Sequence, residues 1–253
     1  MRNPKEITRF PVQKRVYFLA GALGIVLAIF IIKTWVPAAW GPIRLFLLGL
    51  PSTGEVVREL GPEIRSELES ICQNSGVSYP PNELTLIALK KEKVLEVWGR
   101  DNGSQWQHLV QYRILGSSGK LGPKLRKGDM QVPEGRYSLA SLNPNSNFHL
   151  SIKLNYPNRF DRKMAKQDGR EDPGNNIFIH GSDASVGCLA MGNDSIEKLF
   201  VLVHDTGAAD TDVIIAPYDL TGSEKIHTPG SAPQWTDQLY EQLRQDLETY
   251  KGQ

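Results

Sequence analysis

The reading of this chain turns on one stretch: Ile177-Phe178-Ile179-His180-Gly181, the loop Ser182-Asp183-Ala184-Ser185-Val186, and then Gly187-Cys188-Leu189-Ala190-Met191. An apolar, β-type run delivers a histidine, a small polar loop follows, and a Gly-Cys pair stands before a predicted helix N-terminus. A cysteine attacks as its thiolate, so it needs a depressed pKa or a neighbouring base. His180 fits the second role because imidazole titrates near neutral pH. Gly187 lacks a side chain, which leaves the N–H groups of Gly187 and Cys188 free to face a developing oxyanion, worth ~3 kcal/mol per donor. Gly181 lets its own carbonyl come close enough to orient the imidazole. Two other readings stay open on spacing alone. His180 can simply end a strand while Cys188 packs as a small hydrophobe. A metal site would need His149, His204 or Asp183 to join them, since two ligands are too few.

Working outward, the flanking sequence reads as strands. Candidates are Leu84–Leu89 and Val94–Trp98 as a hairpin, then Trp106–Leu115, Arg136–Leu142, Phe148–Leu154, Ile177–His180 and Val213–Ile215. Helical spacing appears from Glu55 to Cys72, where Val57, Leu60, Ile64, Leu68 and Ile71 share a face, with a kink or break expected at Gly61-Pro62. A second helix is predicted over Asp194–Val203, capped by Asn193 or Asp194, and a third near Trp235–Tyr250. Strand-rich with few helices, the pattern is α+β.

The N-terminus carries a separate signal. Arg2, Lys5, Arg9, Lys14 and Arg15 precede the uncharged run Val16–Ile32, whose 17 residues span roughly 25 Å as a helix. Trp35 and Trp40 suit an interface, and the basic flank predicts a cytoplasmic N-terminus with all that follows Trp40 outside. The expectation is a single transmembrane helix, an uncleaved inner-membrane anchor, with cleavage as a signal peptide the alternative. Prolines and glycines between 37 and 54 read as a linker. The resulting divisions are 1–40 (basic flank and anchor), 41–80 (linker and amphipathic helix), 81–220 (main domain) and 221–253 (helical extension).

Composition excludes some classes. With 29 Lys+Arg against 28 Asp+Glu, no global field favours nucleic acid. The two cysteines, Cys72 and Cys188, cannot staple a chain of 253 residues. Cys72 ends an apolar helix face and reads as a buried, inert thiol. His149 and Ser151 share a strand face by alternation, so His149 either lines a cleft or sits on a solvated face. The basic stretch Arg159, Arg162, Lys163, Lys166 and Arg170 reads either as a lid attracting acidic peptide or as a solvated loop.

Several ordered blocks resemble one family. They are Gly122-Pro123-Lys124 with Gly128 to Tyr137, Leu142 to Ser146, Phe148 to Ser151, Tyr156-Pro157-Asn158, Ile179-His180-Gly181 and Gly187 to Met191. Together they resemble the murein L,D-transpeptidase catalytic domain of the YkuD type, in its YafK-like branch. The resemblance implies a β-rich catalytic domain that attacks a stem-peptide carbonyl, forms a thioester, and passes the acyl group to an amine or water. It implies Cys188 as nucleophile, His180 as base and Gly181 as the carbonyl that holds the imidazole, while the expected N-terminal anchor places this domain in the periplasm. His149, Tyr156 and Arg159 are candidate substrate contacts. No cofactor or metal is implied, and the partners are peptidoglycan stem peptides and an outer-membrane lipoprotein joined to them. Val186 and Ala190 replace a histidine and an Arg or Asn found in the commoner branch, which leaves open transfer or hydrolysis, with a non-catalytic wall-binding scaffold as the further alternative.

Overall fold

Strand β1 (Glu83–Leu89) shows why the chain layers as it does. Its sequence ELTLIAL is apolar on both faces, and successive side chains point to opposite sides of a sheet. Leu84, Leu86 and Ala88 enter one core; Ile87 and Leu89 enter another. The first core is closed by helices α1 (Thr53–Asn74) and α3 (Asn193–Thr206), and the second by α4 (Thr236–Lys251) through Leu239, Tyr240, Leu243 and Leu247. The computed structural model describes residues 49–222 and 225–252. The apolar run Val16–Ile32, its basic flank and the expected membrane helix lie outside the described residues.

The other strands are β2 (Val94–Arg100), β3 (Gln107–Arg113), β4 (Gly116–Ser117), β5 (Gly135–Ser146), β6 (His149–Leu154), β7 (Phe178–His180), β8 (Leu189–Ala190) and β9 (Thr211–Ala216). They form one sheet in the order β3-β2-β1-β9-β5-β6-β7-β8-β4. Pairs β1–β9 and β7–β8 are parallel and the rest antiparallel. Strand β5 joins the two halves: Gly135–Ser138 pair with β9, and Leu139 onward with β6. The domain is therefore α+β, a mixed sheet with helices on both faces.

Three local expectations change. The helix through Gly61-Pro62 does not break, because Val57, Gly61, Ile64, Leu68 and Cys72 form one continuous buried stripe along α1. Packing of that stripe outweighs the hydrogen bond that Pro62 removes. The basic stretch expected as a loop is partly helix α2 (Arg159–Gln167). Its start is a reciprocal cap in which Asn158 Oδ1 accepts from Asp161 N–H (3.0 Å) and Asp161 Oδ2 from Asn158 N–H (2.9 Å). Helix α3 begins at Gly192 with no side-chain cap, since Asn193 Oδ1 instead accepts the N–H of Ser182 at 3.0 Å. The C-terminal segment read as an extension packs α4 onto the sheet and belongs to the same compact unit as residues from Pro51 onward.

One buried ion pair ties distant segments together. Lys90 and Glu134, 5% and 0% exposed in their side chains, meet at 2.8 Å, and Glu134 also accepts from Gly122 N–H and the Tyr240 hydroxyl. This knot fastens α4 and the end of β1 to the segment running from β4 to β5.

Candidate active site

Register alone assembles the floor of a groove. Asn143 on β5 stands opposite Ser151 on β6, Ser151 opposite His180 on β7, and His180 opposite Ala190 on β8. These side chains share one face of the sheet, while Leu150, Ile152, Ile179 and Leu189 turn into the core on the other. Extending β8 back by two residues places Cys188 on the groove face, diagonal to His180. A cavity of about 240 Å³ opens there, lined by Asn143, Asn145, Ser146, Phe148, Ser151, Phe178, His180 and Cys188, with Asn147 at its edge.

His180 is buried, and its Nδ1 lies 2.6 Å from the carbonyl oxygen of Gly181. Phe148 covers the ring, with centroids 4.7 Å apart. Gly181 must be glycine: a Cβ there would stand 2.6 Å from the Phe148 carbonyl oxygen and 2.8 Å from Asn193 Oδ1. Burial lowers the pKa of His180, and the Gly181 hydrogen bond opposes that. The ring is held neutral, with its second nitrogen available.

Cys188 is a free thiol, half-buried and not paired with Cys72. Its Sγ makes a weak contact to the Asn176 carbonyl oxygen at 3.9 Å, and no hydrogen bond joins it to His180 among the described residues. Burial raises its pKa; the Phe178 backbone hydrogen bond and the charge of Lys124 pull it back. The resting pair is thus neutral thiol and neutral imidazole. Cys72 is 1% exposed and its thiol is pushed up to about 11 by burial, as suits an inert core residue.

Backbone strain gathers here. Five non-glycine residues adopt left-handed φ among those described, and four of them (Met130, His149, Asn176 and Ser182) adjoin the groove or touch Gly187 or Cys188. Such conformations cost about 1–3 kcal/mol each and persist where the surroundings impose them, commonly at functional sites.

The remaining sequence candidates divide. Gly187 adopts φ +95, a conformation open to glycine, and a Cβ would come within 3.3 Å of the Gln131 carbonyl oxygen. Its N–H does not face open space but donates to Ser118 Oγ at 2.6 Å, and the Cys188 N–H donates to Ser185 Oγ at 3.0 Å. The expected oxyanion donors are therefore occupied by serine hydroxyls. Cys188 is followed by strand β8, not by a helix; α3 starts only at Asn193. His149 leaves the groove: its φ of +74 breaks the alternation that pairs it with Ser151, and its Nε2 meets Glu197 Oε1 on α3 at 2.5 Å. Tyr156 is a core residue whose hydroxyl donates to the Pro173 carbonyl at 2.7 Å. Arg159 is exposed at the start of α2, and neither it nor Tyr156 lines the groove. Among the described residues no three or more His, Cys, Asp or Glu side chains are grouped to hold an ion.

Sequence reasoning assigned no role to Asn143, Ser151, Phe148 or Lys124. Their signal was present in the blocks around Leu142–Ser146, Phe148–Ser151 and Gly122-Pro123-Lys124, but only strand register shows which of them face Cys188.

Comparison with known proteins gives a family match. Residues 85–215 match the profile described as YkuD, the L,D-transpeptidase catalytic domain. Over 156 residues the chain is 34% identical to an Escherichia coli protein named "Putative L,D-transpeptidase YafK", covering 59% of this chain and 61% of that protein. The chain thus spans 61% of the length of this curated relative. Among solved structures, the helical cell shape determining protein Pgp2 from Campylobacter jejuni is 24% identical, with 58% of this chain and 50% of that one covered and a TM-score of 0.45. Bd1075 from Bdellovibrio bacteriovorus is 25% identical, with 66% and 54% covered and a TM-score of 0.40.

Proposed function

Because the chain belongs to the L,D-transpeptidase catalytic domain family, we propose that it is a cysteine acyltransferase acting on peptidoglycan stem peptides, with Cys188 as nucleophile and His180 as base. The observation that carries this is the pinned imidazole. Its Nδ1 is committed to the Gly181 carbonyl, so Nε2 is left bare beside a groove that also exposes a free thiol.

In the first step the Cys188 Sγ–H proton passes to His180 Nε2 as sulfur attacks the carbonyl carbon of the stem-peptide diamino acid. The carbonyl π pair moves onto oxygen. Collapse of that intermediate breaks the C–N bond, and His180 Nε2 returns its proton to the leaving amine. A thioester remains on Cys188. An incoming amine then loses its proton to His180 and attacks the thioester, regenerating the thiol. Water in place of the amine gives hydrolysis by the same proton transfers. For the Cys188 N–H to hold the oxyanion, the Ser185 hydroxyl must rotate off it, a side-chain movement between staggered rotamers. The groove is rich in amide and hydroxyl side chains and two aromatic rings, which suits a peptide backbone. The N-terminal apolar segment would hold this domain at the periplasmic face of the inner membrane.

Intact-protein mass spectrometry after incubation with purified muropeptides or a carbapenem tests the reading. Wild type should gain the mass of one acyl group and Cys188→Ala none. No adduct on wild type with either reagent, at any pH, would favour a non-catalytic wall-binding role. Product analysis separates the acceptors: new cross-links mean an amine acceptor, shortened stems or released lipoprotein mean water.

A further inference from the structure

A second cavity, about 490 Å³, is lined by Lys120, Arg126, Arg170, Gln131, Pro229 and Pro233 among others. Gln131 lines this cavity and also approaches Gly187. Its Nε2 donates to the carbonyl oxygens of Lys120 (2.9 Å) and Gly122 (3.0 Å), while its own carbonyl oxygen stands 3.3 Å from the place a Cβ would take on Gly187. One residue's thickness separates this cavity from the nucleophile's neighbour.

The two cavities differ in charge. Apart from His180, the groove at Cys188 is lined by no ionisable side chain other than the thiol itself. The second cavity has four charged side chains, and two are already satisfied. Asp129 accepts from Lys124 Nζ and from the N–H groups of Leu125, Arg126 and Gln131. Arg170 pairs with Asp168 and donates to the Leu125 carbonyl. Lys120 and Arg126 remain, both exposed and neither in an ion pair among the described residues. A peptide carrying carboxylates finds hydrogen bonds in the groove, and two cationic side chains outside any ion pair in the second cavity.

We propose that the cavity between Lys120, Arg126 and Pro229–Pro233 is a subsite for the carboxylates of an anionic peptide whose neighbouring amide reaches Cys188. The proposal rests on the reading of the groove as the acyl-transfer site. Arg126 offers a planar fork matched to a carboxylate, and Lys120 offers a mobile point charge at the rim. Pro229, Ala232 and Pro233 supply an apolar wall for the aliphatic part of the chain.

The test measures binding without catalysis. Calorimetry would follow an acidic tetrapeptide muropeptide titrated into the full-length Cys188→Ala protein, and into the same protein carrying K120E and R126E. The subsite requires that charge reversal weaken Kd at least ~10-fold, that added salt weaken only the parent, and that a peptide with amidated carboxyls bind both proteins equally. Equal affinity of the two proteins for the acidic peptide, the same loss for the amidated peptide, or no binding to the parent overturns it. An unchanged melting temperature shows that the exposed substitutions leave the fold intact. Because the readout needs no thiol, the two readings fail separately: a wild type that forms no acyl-enzyme overturns the catalytic reading on which this subsite rests, whereas equal affinities beside a normal acyl-enzyme overturn the subsite alone.

Discussion

The imidazole of His180 donates its Nδ1 proton to the carbonyl oxygen of the very next residue, Gly181, over 2.6 Å. A carbonyl oxygen only accepts, so the tautomer is fixed and Nε2 is unprotonated. Placing a side chain on residue 181 would collide with the Phe148 carbonyl and Asn193, so the contact depends on glycine as much as on histidine.

Activity should rise with pH along a limb set by His180. Burial lowers its pKa from the ordinary 6.5, so the midpoint of the limb should fall below pH 6.5. His180→Ala should cost at least ~100-fold in acylation rate. A limb centred above pH 7, or a near-normal rate for the variant, removes His180 from the mechanism.

Lys124 should tune the nucleophile. It is buried, its Nζ is held by Asp129 and the Arg126 carbonyl, and its charge opposes the rise that burial imposes on the Cys188 thiol. Lys124→Met should move the pH midpoint of iodoacetamide alkylation of Cys188 upward. A lower melting temperature with an unmoved alkylation profile would make Lys124 a structural residue only.

Cys72 should be silent in catalysis. In the native protein a thiol reagent should modify Cys188 and spare Cys72, and Cys72→Ser should keep its activity. The hydroxyl, buried where the thiol is 1% exposed, should cost about 1–3 kcal/mol of stability in urea unfolding. Loss of activity in a folded Cys72→Ser protein contradicts this.

Most of the strands, and the meeting of His180 and Cys188 at one cavity, were legible because their signals are local: apolar runs between breakers, and ordered motif blocks. What escaped depends on partners distant in sequence. Alternation places His149 beside Ser151, but a left-handed φ turns His149 to Glu197 on α3. Gly187 and Cys188 present amides to an oxyanion in the sequence, yet Ser118, 69 residues upstream of Gly187, reaches one of them. Proline at position 62 predicts a kink, and tertiary burial of α1 overrides it. Tyr156 belongs to a motif block, but only the fold shows that its hydroxyl serves Pro173 in the core.

The buried knot of Lys90 and Glu134 should be expensive to break from one side. Lys90→Met strands a carboxylate that is 0% exposed and should cost about 3–5 kcal/mol. Tyr240→Phe removes one donor from Glu134 and should cost about 1–3 kcal/mol. Adding Glu134→Gln to Lys90→Met should recover part of the loss, because the stranded charge is gone. Urea unfolding at pH 7 reads all three, and additive losses in the double variant would show that the two residues do not act as a pair.

The clasp between α1 and α3 sets an acid limit on stability. Asp205 accepts from Arg65 Nε (2.6 Å) and Nη2 (2.9 Å) and from the Tyr79 hydroxyl (2.8 Å), and it contacts His204 Nδ1 at 2.9 Å. Burial alone would raise its carboxyl, but these bonds, Arg65 foremost, hold it down at about 2 against an ordinary 3.8. A folded pKa below the unfolded one stabilises the protein above the unfolded value, and that stability is lost as pH falls from about 4 towards 2. Arg65 is 35% exposed, so solvent screening keeps the contribution to about 1 kcal/mol. Asp205→Asn should therefore be less stable than wild type at pH 7, with the two urea midpoints converging as pH approaches 2. A gap that stays constant from pH 7 to pH 2 would show that the charge on Asp205 adds nothing, and that the clasp holds by hydrogen bonds alone.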